Sequence, residues 1–167
     1  MKMRRLTVSS AVLSFLVIVL AGLTWWAGTP ARAAFAPTVA LVPVSGIVSG
    51  QPESVKFSGQ AQISSELVVD TSKFNVAPAV ILIVNLSKVS GIGSSSGARY
   101  VVTGDGTTVY RQLVRADTLE IPFPFSRGSM SASSARSGVA SFALSFDLKT
   151  GAITSGTGDI AAPNFPN

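Results

Sequence analysis

The chain has 167 residues and contains neither histidine nor cysteine. Disulfide bonds are therefore excluded, and zinc, copper or haem sites, which depend on imidazole or thiolate ligands, are not expected. Of the 13 Lys and Arg residues, four precede residue 34, whereas all 8 Asp and Glu residues follow it. The formal net charge of +5 thus falls to 9 − 8 = +1 over residues 34–167. A domain so close to neutrality lacks the basic surface that nucleic-acid binding needs.

The N-terminal segment has the three parts of a secretory signal peptide. A basic start at Met1–Arg5 is followed by an apolar stretch at Ala11–Leu23. Ala31 and Ala33 then form the small-x-small pattern that a signal peptidase requires, which predicts cleavage between Ala33 and Ala34. The layout is bacterial in style, and we predict export to the periplasm or secretion.

The alternative is that residues 1–33 are not removed. Residues 6–27 are long enough to cross a bilayer, at about 20 residues per span. Trp25 and Trp26 would suit the interface of such a span. In that case the domain stays anchored to the inner membrane.

After a short tether at residues 34–38, residues 39–167 read as a single β domain. The clearest segment runs from Ser54 to Ser64, where apolar or small residues alternate strictly with polar ones. A period of two predicts a half-buried strand. Its inward positions include the small Gly59 and Ala61, which predict the close approach of a neighbouring backbone or bulky side chain.

Further segments show the same pattern, separated by turn residues. Strands are predicted at Val39–Val48, Ser54–Val69, Ala79–Val89, Tyr100–Thr103, Thr108–Arg115, Leu119–Phe125, Val139–Leu148 and Ala152–Ile160. These are about eight strands, and no helix is predicted beyond the signal peptide. The fold class is therefore all-β, as a single antiparallel β-sandwich or small β-barrel.

Three features give finer predictions. Val80–Val84 is apolar on both faces, which predicts a central strand covered on both sides. Gly104-Asp105-Gly106 predicts a hairpin turn between the strands that flank it. Pro122 and Pro124 remove two N–H donors from the same edge of a strand, which predicts that this strand pairs on one side only.

The stretch Gly93-Ser94-Ser95-Ser96-Gly97 fits G-x-S-x-G, the turn that presents a nucleophilic serine in many hydrolases. Ser95 would need a base, and the usual base is histidine, which this chain lacks. The turn also needs a following helix, whereas Ala98–Val102 reads as another strand. We therefore interpret this stretch as a loop of glycine and serine.

Carboxylates are the remaining candidates for chemistry. Glycoside hydrolysis needs two of them, and the candidates are Glu53, Glu66, Asp70, Asp117 and Glu120. None lies in a recognisable motif, and residues 34–167 lack the tryptophans of polysaccharide sites. Calcium needs clustered oxygen ligands, but the other aspartates are interpreted as isolated turn or strand-end residues; these are Asp105, Asp147 and Asp159.

The serine-rich stretch at residues 126–138 predicts a long loop. Arg127 and Arg136 would give it a weak preference for anions, although a solvated loop is the plainer interpretation.

These features predict an exported, non-enzymatic β domain with a binding or structural role. No catalytic residue, cofactor, metal or nucleic-acid partner is expected. One alternative is a carrier that holds a small apolar ligand or lipid in a barrel cavity. A second alternative is a carboxylate-based glycan hydrolase. The expected partner is a protein or a small apolar ligand, and the membrane is a partner only if residues 6–27 remain attached.

Overall fold

The computed structural model describes residues 36–69, 78–128 and 135–164. The predicted cleavage site at Ala31, Ala33 and Ala34 lies outside these residues, as do Asp70 and the middle of the serine-rich loop. Strands make up most of the described chain, which contains no helix, so the all-β prediction is confirmed. No helix within the described ranges is therefore long and apolar enough to span a membrane.

The described residues form nine strands rather than about eight. They are β1 (Thr38–Val48), β2 (Val55–Val68), β3 (Ala79–Asn85), β4 (Val89–Gly93), β5 (Arg99–Val102), β6 (Thr107–Gln112), β7 (Ala116–Arg127), β8 (Arg136–Phe146) and β9 (Ile153–Ala161). The extra strand arises because the predicted segment Ala79–Val89 ends as β3 at Asn85, and a separate short strand, β4, begins at Val89.

The strands form one sheet in the order β1-β9-β8-β7-β5-β4-β2-β3-β6, and β1 also pairs with β2. The long strand β2 organises one side of it. The whole of β1 pairs with one edge of β2, at residues 55–65, while the other edge of β2 pairs first with β4 and then with β3. The β1–β9 pairing is parallel and all others are antiparallel.

Gly59 marks the place where β2 passes from β4 to β3. A Cβ atom at this position would collide with the backbone of Lys88 and Val89. The predicted close approach is therefore confirmed, and its partner is backbone. β2 continues without a break here, whereas its neighbours β4 and β3 are separate strands. The backbone between those two strands comes so close to β2 that only a residue without a side chain fits at this position.

The inward faces of the strands form one apolar core. Its largest fully buried side chains include Phe57, Phe125 and Phe142. The rings of Phe57 and Phe125 pack edge to face with their centroids 4.9 Å apart. Phe123 and Phe125 are both buried, as their alternation with prolines predicts.

The proline prediction holds for only part of β7, because the strand as a whole lies between β8 and β5 in the sheet. Residues Ala116–Pro124 pair with β8 alone, Phe125 pairs with both neighbours, and Ser126 and Arg127 pair only with β5. The Pro124 carbonyl accepts a hydrogen bond from Thr103 N–H on the side away from β8 (2.9 Å). The missing N–H groups of Pro122 and Pro124 lie on this side, where pairing with β5 is limited to the end of the strand.

Three finer predictions are wrong. The turn at Gly104–Gly106 does not close a hairpin, because β5 pairs with β4 and β7 while β6 pairs with β3. β3 is covered on one face only, and Ile83 is 45% exposed on the other. The strand predicted to run to Leu148 ends at Phe146, and Leu148 is exposed, because the turn capped by Asp147 begins immediately after β8.

Candidate functional site

The G-x-S-x-G stretch forms the tight connection between β4 and β5. Gly93 N–H donates to the Ala98 carbonyl (2.9 Å), and Gly97 N–H donates to the Gly93 carbonyl (3.0 Å). Gly97 has φ +65°, a conformation that costs glycine little. A strand follows the turn, as the sequence predicts, so Ser95 lies at the tip of a hairpin and not before a helix.

The carboxylate of Glu53 fills the space inside this hairpin. Its Oε2 accepts the backbone N–H groups of Ser95 and Ser96, each at 2.9 Å. Its Oε1 accepts the Ser96 hydroxyl at 2.6 Å and the Tyr100 hydroxyl at 3.0 Å. Four donors from one hairpin thus converge on a side chain that lies two residues before β2. We call this arrangement the Glu53 clamp.

The hydrogen bonds of the clamp hold Glu53 in its charged form. The Ser96 hydroxyl, followed by the backbone N–H groups of Ser96 and Ser95, lowers the pKa of Glu53 from 4.5 to about 2. Burial, followed by the nearby Glu53 carboxylate, raises the pKa of Tyr100. The Tyr100 phenol therefore stays protonated at neutral pH and can only help the clamp as a donor.

The clamp is fixed to the core from two sides. The Tyr100 ring packs against Phe125 with centroids 6.0 Å apart. The guanidinium of Arg136 lies over the Phe125 ring at 5.1 Å, and its Nη1 donates to the Glu53 carbonyl (2.7 Å). Arg136 opens β8 and is not part of a solvated loop, so its role here is to hold the Glu53 backbone. The loop predicted at 126–138 is accordingly shorter, since β7 continues to Arg127.

This geometry speaks against Ser95 as a nucleophile. The two adjacent N–H groups that could form an oxyanion hole already bind the Glu53 carboxylate. A carboxylate whose pKa is about 2 is a very weak base at neutral pH. Ser95 contributes its backbone rather than its hydroxyl to the clamp.

Sequence reasoning placed Glu53 only among generic carboxylates and did not connect it to the hairpin. Tight turns expose successive N–H groups that favour an anion, and this is a signal that could have pointed to an acceptor. The acceptor stands 42 residues before Ser95, so the sequence could not identify it.

The other candidate carboxylates that the structure describes lie on two strands. Glu66 is on β2 and Glu120 on β7, and these strands are not neighbours in the sheet. Asp117 Oδ2 lies 3.8 Å from Arg111 Nε. Within the described ranges, no group of three or more His, Cys, Asp or Glu residues could hold a metal ion.

The remaining aspartates have local roles or lie exposed. Asp147 Oδ1 accepts the N–H groups of Lys149 (2.7 Å) and Thr150 (3.0 Å), which caps the turn before β9. Asp105 lies in the β5–β6 connection. Asp159 is exposed within β9, not in a turn.

Pockets of about 520, 550 and 650 Å³ are lined by residues of β7, β8 and β9 and by the segments next to these strands. A pocket of about 50 Å³ reaches Ile121 and Phe123 near the β5–β6 connection. Pockets that bind small molecules usually measure about 300 Å³ or more. This pocket is therefore too small to hold a lipid.

Comparison of the chain with protein-family models, with curated proteins and with solved structures gives no significant match, so the site has to be interpreted from its own geometry.

Proposed function

We propose that this chain is an exported, non-enzymatic β domain that acts by binding or as a structural component. The observation that carries this proposal is the Glu53 clamp. Among the described residues it is the polar cluster with the most hydrogen bonds to one side chain. Its donors and acceptors bind one another within the fold. Ser96 and Tyr100 donate to Glu53, and the carboxylate retains no basicity at neutral pH. A cluster of this kind stabilises a hairpin and leaves little to act on a substrate.

We also propose that the sheet is a small barrel with one open seam. β1 pairs with β9 on one side and with β2 on the other. The series of paired strands that leads from β1 through β9, β8, β7, β5, β4 and β2 therefore closes on β1. The seam lies between β6 and the first part of β7, which do not pair. The core residues supplied by these strands support a packed interior.

Export is tested by expressing the full chain in a bacterial host and measuring the intact mass of the product. We expect the periplasmic or secreted protein to begin at Ala34. The matched control replaces Ala31 and Ala33 by leucine, which removes the small residues that the peptidase needs. This variant should keep residues 1–33 and remain in the membrane fraction. Wild-type protein that keeps residues 1–33 would instead support the anchored alternative.

The lack of enzymatic activity is tested on the same exported protein. We expect no turnover of ester substrates or of a glycan panel, and no difference between wild type and the Glu66→Gln and Glu120→Gln variants. Turnover that one of these variants abolishes would establish the hydrolase alternative. Organic extraction followed by mass spectrometry tests the carrier alternative, and we expect no copurifying lipid.

A further inference from the structure

We propose that the free edge of β6 binds an extended peptide segment of a partner protein, which adds to the sheet as a further strand. The inference rests on the proposed function and names the class of partner. It comes from the backbone of β6, whose outer edge has no described neighbour, and from the apolar side chains beside that edge.

The register shows which backbone groups are free. Leu113 N–H donates to the Pro78 carbonyl (2.8 Å), in continuation of the pairing between β6 and β3. Alternate residues of a strand point their backbone groups the same way, so the odd-numbered residues of β6 face β3. Thr108, Tyr110 and Gln112 therefore direct three N–H and three carbonyl groups away from the sheet. None of these groups has a backbone partner among the described residues.

The edge of β7 across the seam is different. Phe146 N–H donates to the Arg115 carbonyl, so the odd-numbered side of β7 faces β8 and the even-numbered side faces the seam. On that side Pro122 and Pro124 have no N–H, and Thr118 N–H is bound by Asp117 Oδ1 (2.8 Å). Proline is one of the devices by which proteins block strand addition. Proline thus hinders strand addition at this edge of β7, and β6 contains no proline.

The side chains next to the β6 edge favour an apolar partner strand. Tyr110 is 65% exposed, and its cross-strand neighbour Ile81 is only half-buried. Ile83 is 45% exposed on the same face, opposite Thr108. An added strand would place an apolar or aromatic residue beside Tyr110 and extend this row. The single cation in β6, Arg111, lies on the other face and is near Asp117.

The size of the edge favours a peptide over a second copy of the domain. Stable interfaces between globular proteins bury about 800 Å² per partner and use roughly 20–30 residues a side. The free edge offers six residues and is bounded by the blocked edge of β7. An extended segment needs only such an edge, because backbone hydrogen bonds supply much of its affinity.

The test uses the exported chain and a synthetic peptide that copies Gly106–Leu113, which can pair antiparallel with its own sequence. Amide hydrogen exchange is measured by NMR with and without the peptide. Without it, we expect the amides of Thr108, Tyr110 and Gln112 to exchange much faster than those of Val109 and Arg111. With it, the three fast amides should become slow. Protection at another strand and not at β6 would overturn the proposal.

Two N-methylated peptides provide the matched control. One is methylated at its even positions (those of Thr108, Tyr110 and Gln112) and the other at its odd positions. An added strand uses only alternate amides, so one methylated peptide should bind at least about tenfold more weakly and the other should bind as the parent does. Equal affinity of both, or no binding of the parent peptide at about 1 mM, would overturn the proposal.

A protein variant completes the test. Tyr110→Pro removes a free-edge N–H that β3 does not use, and should weaken binding at least about tenfold. Tyr110→Phe keeps the N–H and should bind within about twofold of wild type. If the domain self-associates and Tyr110→Pro abolishes this association, the occupant of the edge is a second copy of the domain. That result would overturn the proposal of a peptide partner. Enzymatic turnover or failed export contradicts the proposed function instead, whatever the peptide does.

Discussion

The Glu53 clamp and the free edge of β6 both present several backbone N–H groups, but they satisfy them differently. In the clamp, a carboxylate from elsewhere in the chain accepts the N–H groups of Ser95 and Ser96. At β6, the N–H groups of Thr108, Tyr110 and Gln112 have no backbone partner among the described residues. The donors of the motif that resembles an active site are thus satisfied within the fold, and strand addition is proposed at β6, where the backbone groups have no described partner.

The largest effect is expected from filling the space inside the clamp. In Gly93→Ala, the new Cβ would occupy the position of the Glu53 carboxylate and expel it from all four donors. The loss of all four hydrogen bonds should lower the free energy of unfolding more than any other substitution in this series, and urea unfolding would measure it. In a Glu53→Ala background the same substitution should cost much less. Additive costs in the double mutant would show that the carboxylate does not occupy this space.

The clamp should also make stability depend on pH. The folded-state pKa of Glu53 is about 2, below the ordinary 4.5, so its contribution is complete above about pH 4.5 and is lost as the pH falls toward 2. Urea unfolding should show wild type more stable than Glu53→Gln at pH 7, with the difference shrinking steadily below pH 4.5.

A second carboxylate must be separated from this effect. The backbone N–H groups of Lys149 and Thr150 lower the pKa of Asp147, so its contribution falls in the same direction on acidification. Asp147→Asn is therefore the matched control. When Asp147→Asn is also present, Glu53→Gln should still lower the free energy of unfolding at pH 7, and this difference should still shrink below pH 4.5. A difference that persists unchanged at pH 2 would contradict the assignment to Glu53.

Removal of one donor should have a smaller effect. Tyr100→Phe keeps the ring against Phe125 and removes only the hydroxyl that Glu53 accepts at 3.0 Å. We expect a loss of about 1 kcal/mol in the free energy of unfolding. In a Glu53→Ala background the loss should shrink, and an equal loss there would assign the hydroxyl another partner.

At the β6 edge, substitutions of the same kind should have little effect on stability. Tyr110→Pro removes an N–H that no described backbone group uses, and proline is tolerated at sheet edges. Thermal unfolding should show a loss below about 1 kcal/mol. Val109→Pro is the matched control, because the Val109 N–H faces β3 and its removal breaks a hydrogen bond between β6 and β3. Similar losses from both variants would mean that the assignment of the free side is wrong.

The smallest effect is expected at the serine that the motif singles out. Ser95 takes part in the clamp through its N–H, and Ala retains that group. Ser95→Ala should therefore change neither the unfolding free energy nor any hydrolytic signal, whereas Ser96→Ala should destabilise because its hydroxyl donates to Glu53. Loss of an esterase signal in Ser95→Ala alone would restore the nucleophile interpretation.

Much of this fold could be predicted from local patterns. Alternation in Ser54–Ser64 predicts β2, because side chains on a strand alternate between core and solvent. The two prolines in β7 predict a strand that pairs on one side only, because each lacks an N–H, and this holds for Ala116–Pro124 but not for the end of β7 that pairs with β5. Both arguments need only the residues of one strand.

The errors come from the pairing of segments distant in sequence. The Asp-Gly turn after β5 predicts a hairpin, but β5 and β6 each have different partners. The apolar run in β3 predicts two covered faces, and its outer face instead lies open beside β6. A strand does not specify its neighbours, because backbone hydrogen bonding is the same for every sequence.

The sequence by itself determined that this chain is an all-β protein without thiol or imidazole chemistry, because strand periodicity and residue types are local properties. Only the tertiary structure decided that Glu53 closes the serine hairpin and that the outer edge of β6 has no partner among the described residues. Both depend on which distant segments come into contact, and that is settled by the packing of the whole core.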